Sequence, residues 1–280
     1  INRVHSEDDL NDLLSLARSE AGAAFGDDRV YLEKLIESAR HVEVQIAADH
    51  QGTVLHLGER DCSVQRRFQK VVEEARAPAL AEETRWRLQE SAVAFAERIG
   101  YRNLGTVEFV IDAASGEPYF LEVNCRIQVE HPVTEAITYL DLVAMQLQIA
   151  AGDPLEIGQD DVSYHGHAVE CRLNAEDPSH GYAPSPGRLS LFAVPEREGL
   201  RVDTHCQAGT IVPPYYDSLL GKFIAHGADR EHALDTLVDA LEDLDVDGVE
   251  TNRTLLIGIL GHPDFRAGPV TTDWLERALR

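Results

Sequence analysis

The chain is short of the residues that would staple it, anchor it or charge it positively. Its 280 residues include four cysteines, one methionine and two tryptophans, and 25 Lys and Arg stand against 49 Asp and Glu, a formal net charge of −24. Cys62, Cys125, Cys171 and Cys206 lie far apart with no C-x-x-C pair. That argues against a disulfide framework or a zinc ribbon and favours a reducing, cytoplasmic setting. No apolar run approaches the roughly 18 residues needed to cross a bilayer, and no signal peptide is visible. A surface this acidic repels nucleic-acid phosphates and anionic lipid, so neither is expected as a partner. The first residue is Ile1 rather than Met, which reads as a trimmed or partial product.

What is present suits a large core. Hydrophobic residues make up 44% of the chain, with 20 Gly and 12 Pro, enough for two lobes or domains with a soft boundary near 152–163. Ser6 followed by Glu7, Asp8 and Asp9 reads as a helix N-cap with an acidic first turn, and Leu10, Leu13, Leu14 and Ala17 give that helix an apolar face. Val30 to Ile36 reads as a short strand. Residues 41–48 alternate, with Val42, Val44 and Ile46 on one side and His41, Glu43 and Gln45 on the other. Gln51-Gly52 turns into a second strand at 53–58, and a helix over 82–99 stops at Gly100. Residues 105–124 predict a hairpin turning through Ala113 to Glu117. Pro132 opens a helix over 133–151 that ends at Gly152. Strands are predicted at 164–173, 189–193, 201–205 and 218–226, and helices at 230–243 and 251–260. There is no internal repeat.

The most heavily loaded stretch reads Glu122, Val123, Asn124, Cys125, Arg126, Ile127, Gln128, Val129, Glu130, His131. If the preceding hairpin is centred on Ser115, Glu108 lies opposite Glu122, and alternation keeps Glu122 and Asn124 on one face. Like charges on facing strands destabilise each other. Magnesium would compensate, since it takes oxygen ligands, usually one or two carboxylates, and completes its shell on phosphate. The plainer alternative is an exposed hairpin with solvated carboxylates. Arg126 offers a planar fork for an anion such as bicarbonate, an attraction of about 4 kcal/mol at roughly 4 Å and an effective dielectric near 20, before desolvation. Glu130 is placed to act as a general base if the segment turns back; otherwise the two form a surface ion pair. A second cluster runs from Arg60 to Glu74, with Arg66, Arg67 and Lys70 close together. It could hold phosphate or bicarbonate, but taken alone it reads as a solvated basic loop. His165 and His167 would share a strand face, yet without Cys or His partners at zinc spacing no transition-metal site is expected. Pro213 to Tyr216 is read as packing against a neighbouring strand.

Almost the whole chain resembles the biotin carboxylase domain of the ATP-grasp superfamily, through VYLEKLIESARHVEVQ, GERDCSVQRRFQKVVEEA, FLEVNCRIQVEHPVTE, GHAVECRLNAEDP and PPYYDSLLGK. The run RIQVEHPVTE points to biotin carboxylases in particular. The resemblance implies an α+β fold. An ATP-grasp domain of antiparallel sheet with helices would cover 1–160, with 1–36 as a remnant of its mobile lid subdomain, followed by a biotin carboxylase C-terminal α/β domain over 161–280. It implies ATP, Mg2+ or Mn2+, and biotin borne on a separate carrier. Position by position, Glu33, Lys34, Leu35 and Ile36 match the hinge that holds adenine, and His41 matches a nucleotide-contacting histidine. Gln65, Phe68, Gln69 and Lys70 fall near the nucleotide, Lys70 also near bicarbonate. Glu108, Glu122 and Asn124 match the metal ligands. Arg126, Gln128 and the Val129 amide match the bicarbonate cradle, with Glu130 as the base, and Arg172 matches the residue that steadies the biotin enolate. Lys70, Arg126, Glu130 and Arg172 are thus the expected catalytic groups. The implied partners are a biotin carboxyl carrier protein or domain, a carboxyltransferase subunit and, in the full-length enzyme, a second copy.

Two departures qualify the resemblance. Phe68 stands where several relatives have a nucleotide-contacting histidine. The family's N-terminal nucleotide-fold domain, glycine-rich covering loop and upstream lysines have no counterpart in these 280 residues, so the polypeptide alone is expected to have little or no activity. Two other readings are open: a non-catalytic scaffold that keeps the fold, and an ATP-grasp ligase acting on another acid. The final carboxyl acceptor, whether acetyl-CoA, propionyl-CoA, pyruvate or urea, is not encoded here. Nor is there a biotin-attachment Met-Lys pair, since Met145 is followed by Gln146.

Overall fold

The computed structural model describes residues 2–279; Ile1 and Arg280 lie outside the described residues. The chain divides into two compact units between Glu37 and Ser38. In the first, Ser6 caps helix α1 (Glu7–Phe25) by accepting the Asp9 backbone N–H, and Gly26 closes it in the left-handed conformation. The strand expected at Val30 to Ile36 does not form. A strand needs a neighbour for its backbone groups, and among the described residues no strand pairs with this run.

The second unit is built on an eight-stranded antiparallel sheet. Its strands are β1 (Ala39–Ala48), β2 (Val54–Arg66), β3 (Gln69–Ala75), β4 (Asn103–Asp112), β5 (Pro118–Asn124), β6 (His167–Asn174), β7 (Leu200–Thr204) and β8 (Leu219–Gly227). Across the sheet they lie in the order β7-β8-β6-β3-β2-β1-β4-β5. Helices packed on an antiparallel sheet give the expected α+β class. The segment 152–163 connects the last helix before β6 to a sheet that continues unbroken from β3 to β6.

β1 is buried along its whole length, and its two faces do different things. Val42, Val44 and Ile46 meet Leu88, Ala92 and Ala96 of α2 (Glu82–Ile99), and Val107 and Phe109 complete that core. The helical spacing of the three α2 residues is what points them together. His41, Glu43 and Gln45 take the opposite face, as the alternation predicts, but they are buried there as well. A second core joins β6 and β8 to α5 (Arg230–Glu242) and α6 (Arg253–Gly261) through Phe223, Leu234, Leu237, Leu256 and Leu260.

Four local expectations change. The helix expected over 133–151 is two helices. Tyr139 turns left-handed (φ 59°) to end α3 (His131–Thr138), and Asp141 starts α4 (Leu142–Ala151) by accepting the Ala144 N–H. The basic run 60–70 is not a solvated loop: β2 continues to Arg66, Arg67 and Phe68 make the turn with φ of 51° and 64°, and β3 begins at Gln69. His165 and His167 do not share a strand face, because left-handed Gly166 separates them. His165 stacks on Tyr139, whereas His167 bonds Glu74 at 2.9 Å. Tyr215 and Tyr216 stand exposed rather than packed on a strand.

Gly166 lets the chain enter β6 against β8. Its φ is +61°, and a Cβ there would lie 2.1 Å from the Gly227 carbonyl oxygen. Gly166→Ala should therefore lower stability by more than about 1 kcal/mol, read as a lower urea midpoint with an unchanged m-value. A wild-type midpoint would contradict this packing.

Candidate active site

One transverse row crosses four neighbouring strands. Arg60 of β2 is the register partner of Glu43 on β1, Glu43 of Glu108 on β4, and Glu108 of Glu122 on β5. The expected pairing of Glu108 with Glu122 is observed, but the register nearer the turn is offset by one (Phe109 pairs with Phe120), and an irregularity between Glu108 and Phe109 restores it. Three adjacent glutamates would repel one another, and cations answer them at the same level. Arg60, fully buried, donates Nε to Glu43 at 2.6 Å and spends its other N–H groups on Gln45 at 2.8 Å, Thr134 at 3.0 Å, Thr106 at 3.2 Å and Gln128 at 3.4 Å. Lys70 Nζ reaches three carboxylates: Glu130 at 2.5 Å, Glu43 at 2.6 Å and Glu108 at 3.1 Å. His41 Nε2 lies 3.1 Å from Glu108.

These neighbours fix the charge states. Burial alone would raise the Glu43 carboxyl, but Arg60, Lys70 and His41 outweigh it and hold the group at about 2. Glu108 is likewise about 2, burial being outweighed by His41, Lys70 and Gln128. Burial works against the Lys70 ammonium, yet Cys62, Glu43, Glu130 and Glu108 raise its proton affinity above that of an ordinary lysine. Such a network is expensive to desolvate and stable only while every member is partnered.

The segment after β5 folds back over this row. Gln128 Nε2 donates to Glu108 at 2.7 Å, and Asn124 Nδ2 bridges Glu108 and Glu122 at 3.1 Å each. Arg126 donates to the Asn124 amide oxygen at 3.3 Å and to the Ile127 carbonyl at 3.2 Å. Among the described residues it pairs with no carboxylate, so the surface ion pair with Glu130 is not formed. Glu130 is buried between Lys70 and Arg172, whose Nη2 donates to it at 3.0 Å. Lys222 of β8 donates to the Val129 carbonyl at 2.9 Å.

The fold thus gathers His41, Lys70, Glu108, Glu122, Asn124, Gln128, Glu130 and Arg172, with Arg126 at the exposed rim. Gln65 joins them, its Nε2 3.1 Å from His41 Nδ1. Phe68 and Gln69 sit instead at the exposed tip of the β2–β3 hairpin. Glu33, Lys34, Leu35 and Ile36 belong to the first unit, in a stretch without regular structure. Sequence reasoning missed Glu43, Arg60, Thr134 and Lys222 as members. Glu43 had a usable signal, since alternation sets it beside His41. The all-oxygen set of Glu108, Glu122 and Asn124 suits a hard divalent cation: the amide nitrogen and oxygen of Asn124 exchange places by a simple flip, which would turn three oxygens toward one point.

Comparison with known proteins agrees with this architecture. Residues 2–158 match the family described as carbamoyl-phosphate synthase L chain, ATP binding domain, and residues 170–277 the biotin carboxylase C-terminal domain. Over 276 residues the chain is 48% identical to the biotin carboxylase of Allochromatium vinosum and 49% identical to that of Pseudomonas aeruginosa, each match covering 99% of this chain and 61% of the relative. A solved structure of the biotin carboxylase domain dimer of Hydrogenobacter thermophilus 2-oxoglutarate carboxylase, in complex with MgADP, ADP and bicarbonate, aligns with a TM-score of 0.93 at 45% identity, over 98% of this chain and 60% of that one. The chain therefore spans about three fifths of the length of the relatives it matches.

The charge row makes an acid-stability prediction. Glu43 falls from 4.5 to about 2 on folding, so it contributes stability that is present above pH 4.5 and lost as the pH falls through 2. Glu43→Gln leaves Arg60 and Lys70 short of a partner and should cost about 3–5 kcal/mol at pH 7, while its further loss between pH 4.5 and 2 should be shallower than that of wild type. Parallel pH profiles would contradict the assignment.

Proposed function

The chain belongs to the biotin carboxylase family, and we propose that it carries the floor of an ATP-dependent active site that carboxylates biotin from bicarbonate. The observation that carries this reading is Glu130, buried between Lys70 and Arg172, beside the Glu108–Glu122–Asn124 oxygen set. The proposed domains are 1–160, ATP-grasp, and 161–280, the C-terminal domain of the family.

In this reading ATP phosphorylates bicarbonate to carboxyphosphate, which gives carbon dioxide and phosphate. Phosphate takes the proton from the biotin ureido nitrogen, and the nitrogen attacks carbon dioxide. Arg126, which pairs with no carboxylate among the described residues, offers its fork to bicarbonate, helped by Gln128 and the Val129 amide. Glu130 accepts the bicarbonate proton. Lys70 is a compact positive charge aimed where negative charge is redistributed during phosphoryl transfer. Arg172 steadies the biotin enolate oxygen. Glu108, Glu122 and Asn124 would hold Mg2+ or Mn2+, which neutralises phosphate charge when bound. His41, Gln65, Phe68 and Gln69 serve the nucleotide, and the backbone of Glu33 to Ile36 serves adenine.

The partners proposed are a biotin carrier protein or domain, a carboxyltransferase and a second copy of the chain, in the cytoplasm. Among the described residues no helix is long and apolar enough to cross a membrane. Because the relatives are longer than the matched region, the activity is proposed for a polypeptide or assembly that supplies the remaining length. The 280 residues alone should turn over ATP slowly or not at all.

In that assembly, with magnesium and bicarbonate, free biotin should stimulate ATP hydrolysis, and Glu130→Gln should reduce the stimulated rate by about 10²–10⁴-fold. Hydrolysis that ignores biotin and is untouched by Glu130→Gln would overturn the reading.

A further inference from the structure

Behind Arg172 lies a pair of acids that the mechanism leaves unused. Glu73 on β3 and Glu170 on β6 are direct cross-strand partners, and neither has any exposed surface. Arg172 Nε donates to Glu73 Oε1 at 2.6 Å, and Nη2, 2.5 Å from that same oxygen, also donates to Glu130 Oε2 at 3.0 Å. Among the described residues, Glu73 Oε2 and both carboxyl oxygens of Glu170 find no hydrogen-bond partner.

Two ionised carboxylates in this position would leave three buried acceptors unpaired next to a like charge, which is among the costliest arrangements in a protein interior. The charged and titratable groups around the pair are Arg172 on β6, Lys222 on β8, Lys70 on β3, Glu130 in the loop before α3, and the thiols of Cys62 and Cys171. Burial, and then the charge of Glu73, push Glu170 well above the usual carboxyl range. Burial also lifts Glu73, to about 7, against the pull of Arg172. A neutral Glu170 has one O–H to give, and its cross-strand neighbour has an open acceptor in Glu73 Oε2.

We propose that Glu73 and Glu170 share one proton, Glu170 donating its O–H to Glu73 Oε2, and that this acid–carboxylate pair is the positioning element that holds Arg172 against Glu130. The proton count matters to the geometry. A doubly charged pair would compete with Glu130 for the guanidinium. A doubly neutral pair would leave the Nε side of Arg172 without an ionic partner. With one proton, the pair carries a single charge and Arg172 Nη2 is shared between Glu73 and Glu130. Glu73 and Glu170 touch no substrate in this arrangement, and the role of Arg172 toward biotin rests on the function proposed above.

The test needs no turnover. Infrared spectroscopy at pH 7 should show the carbonyl stretch of a neutral buried carboxyl in the wild-type chain. The band should persist in Glu130→Gln and vanish in Glu170→Gln, where the amide N–H replaces the O–H. Exchange of the Arg172 Nε–H, followed by 15N NMR, should be slow in wild type and in Glu170→Gln, and faster by about tenfold or more in Glu73→Gln, which loses a charge-assisted bond. If Glu73→Gln does not fold, Glu73→Asp, with its carboxylate drawn back by one methylene, serves in its place. Absence of the neutral carboxyl in wild type would overturn the shared proton. Unchanged Arg172 exchange in the Glu73 variant would overturn the positioning role. Both readouts are taken without nucleotide, bicarbonate or biotin, so neither failure reflects on the catalytic reading.

Discussion

Arg60 lies in the sheet with no exposed surface, and its guanidinium touches β1, β4, α3 and the loop before α3 at once. Together with Lys70 it turns a row of glutamates that should push the strands apart into one that holds the loop down. Neither cation is there for stability alone, because replacing a buried ion network with hydrocarbon is often neutral or better. What the network supplies is position. The side chains of Glu43, Glu108 and Glu130 are each fixed by a contact to Lys70, so the carboxylates sit where their electrostatics require rather than where rotamers drift.

This arrangement depends on a sheet with two unlike faces. Helix α2 closes one side with hydrocarbon, and that side needs no chemistry to be stable. The other side is then free to be polar, provided every group is satisfied. Because the sheet runs on through β3 into β6 and β8, it brings Arg172 and Lys222 from the second half of the chain to residues of the first. The setting of Glu130 between Lys70 and Arg172 is therefore assembled from both halves, and the C-terminal strands reach this cluster as well as the core.

The sequence was informative where geometry is local. A strand period of two and a short turn bring Glu108 and Glu122 to facing strands, with a register shift at Glu108 that the sequence does not announce, and Ser6 and Gly100 mark helix ends by chemistry that acts within a few residues. Glu130 and Arg172 are 42 residues apart in sequence, and no spacing rule joins them; only the resemblance to known carboxylases did. Arg60 was misread because a dense basic run is usually solvated, and its burial depends on Glu43, which arrives on another strand. Glu73 and Glu170 gave no signal, since a strand glutamate is ordinarily an outward one. The break at Tyr139 is likewise silent, as a left-handed tyrosine ends the helix where glycine would have announced it.

On the function proposed above, this floor holds a divalent ion at Glu108, Glu122 and Asn124 and bicarbonate at Arg126, Gln128 and the Val129 amide. A crystal structure of the complete assembly with Mn2+, ADP and bicarbonate, phased to show the manganese anomalous signal, tests it most directly. The expected result is a manganese peak bounded by Glu108, Glu122 and Asn124, with bicarbonate on Arg126, Gln128 and the Val129 amide within reach of Glu130. Manganese bound elsewhere, or bicarbonate away from Glu130, would contradict it.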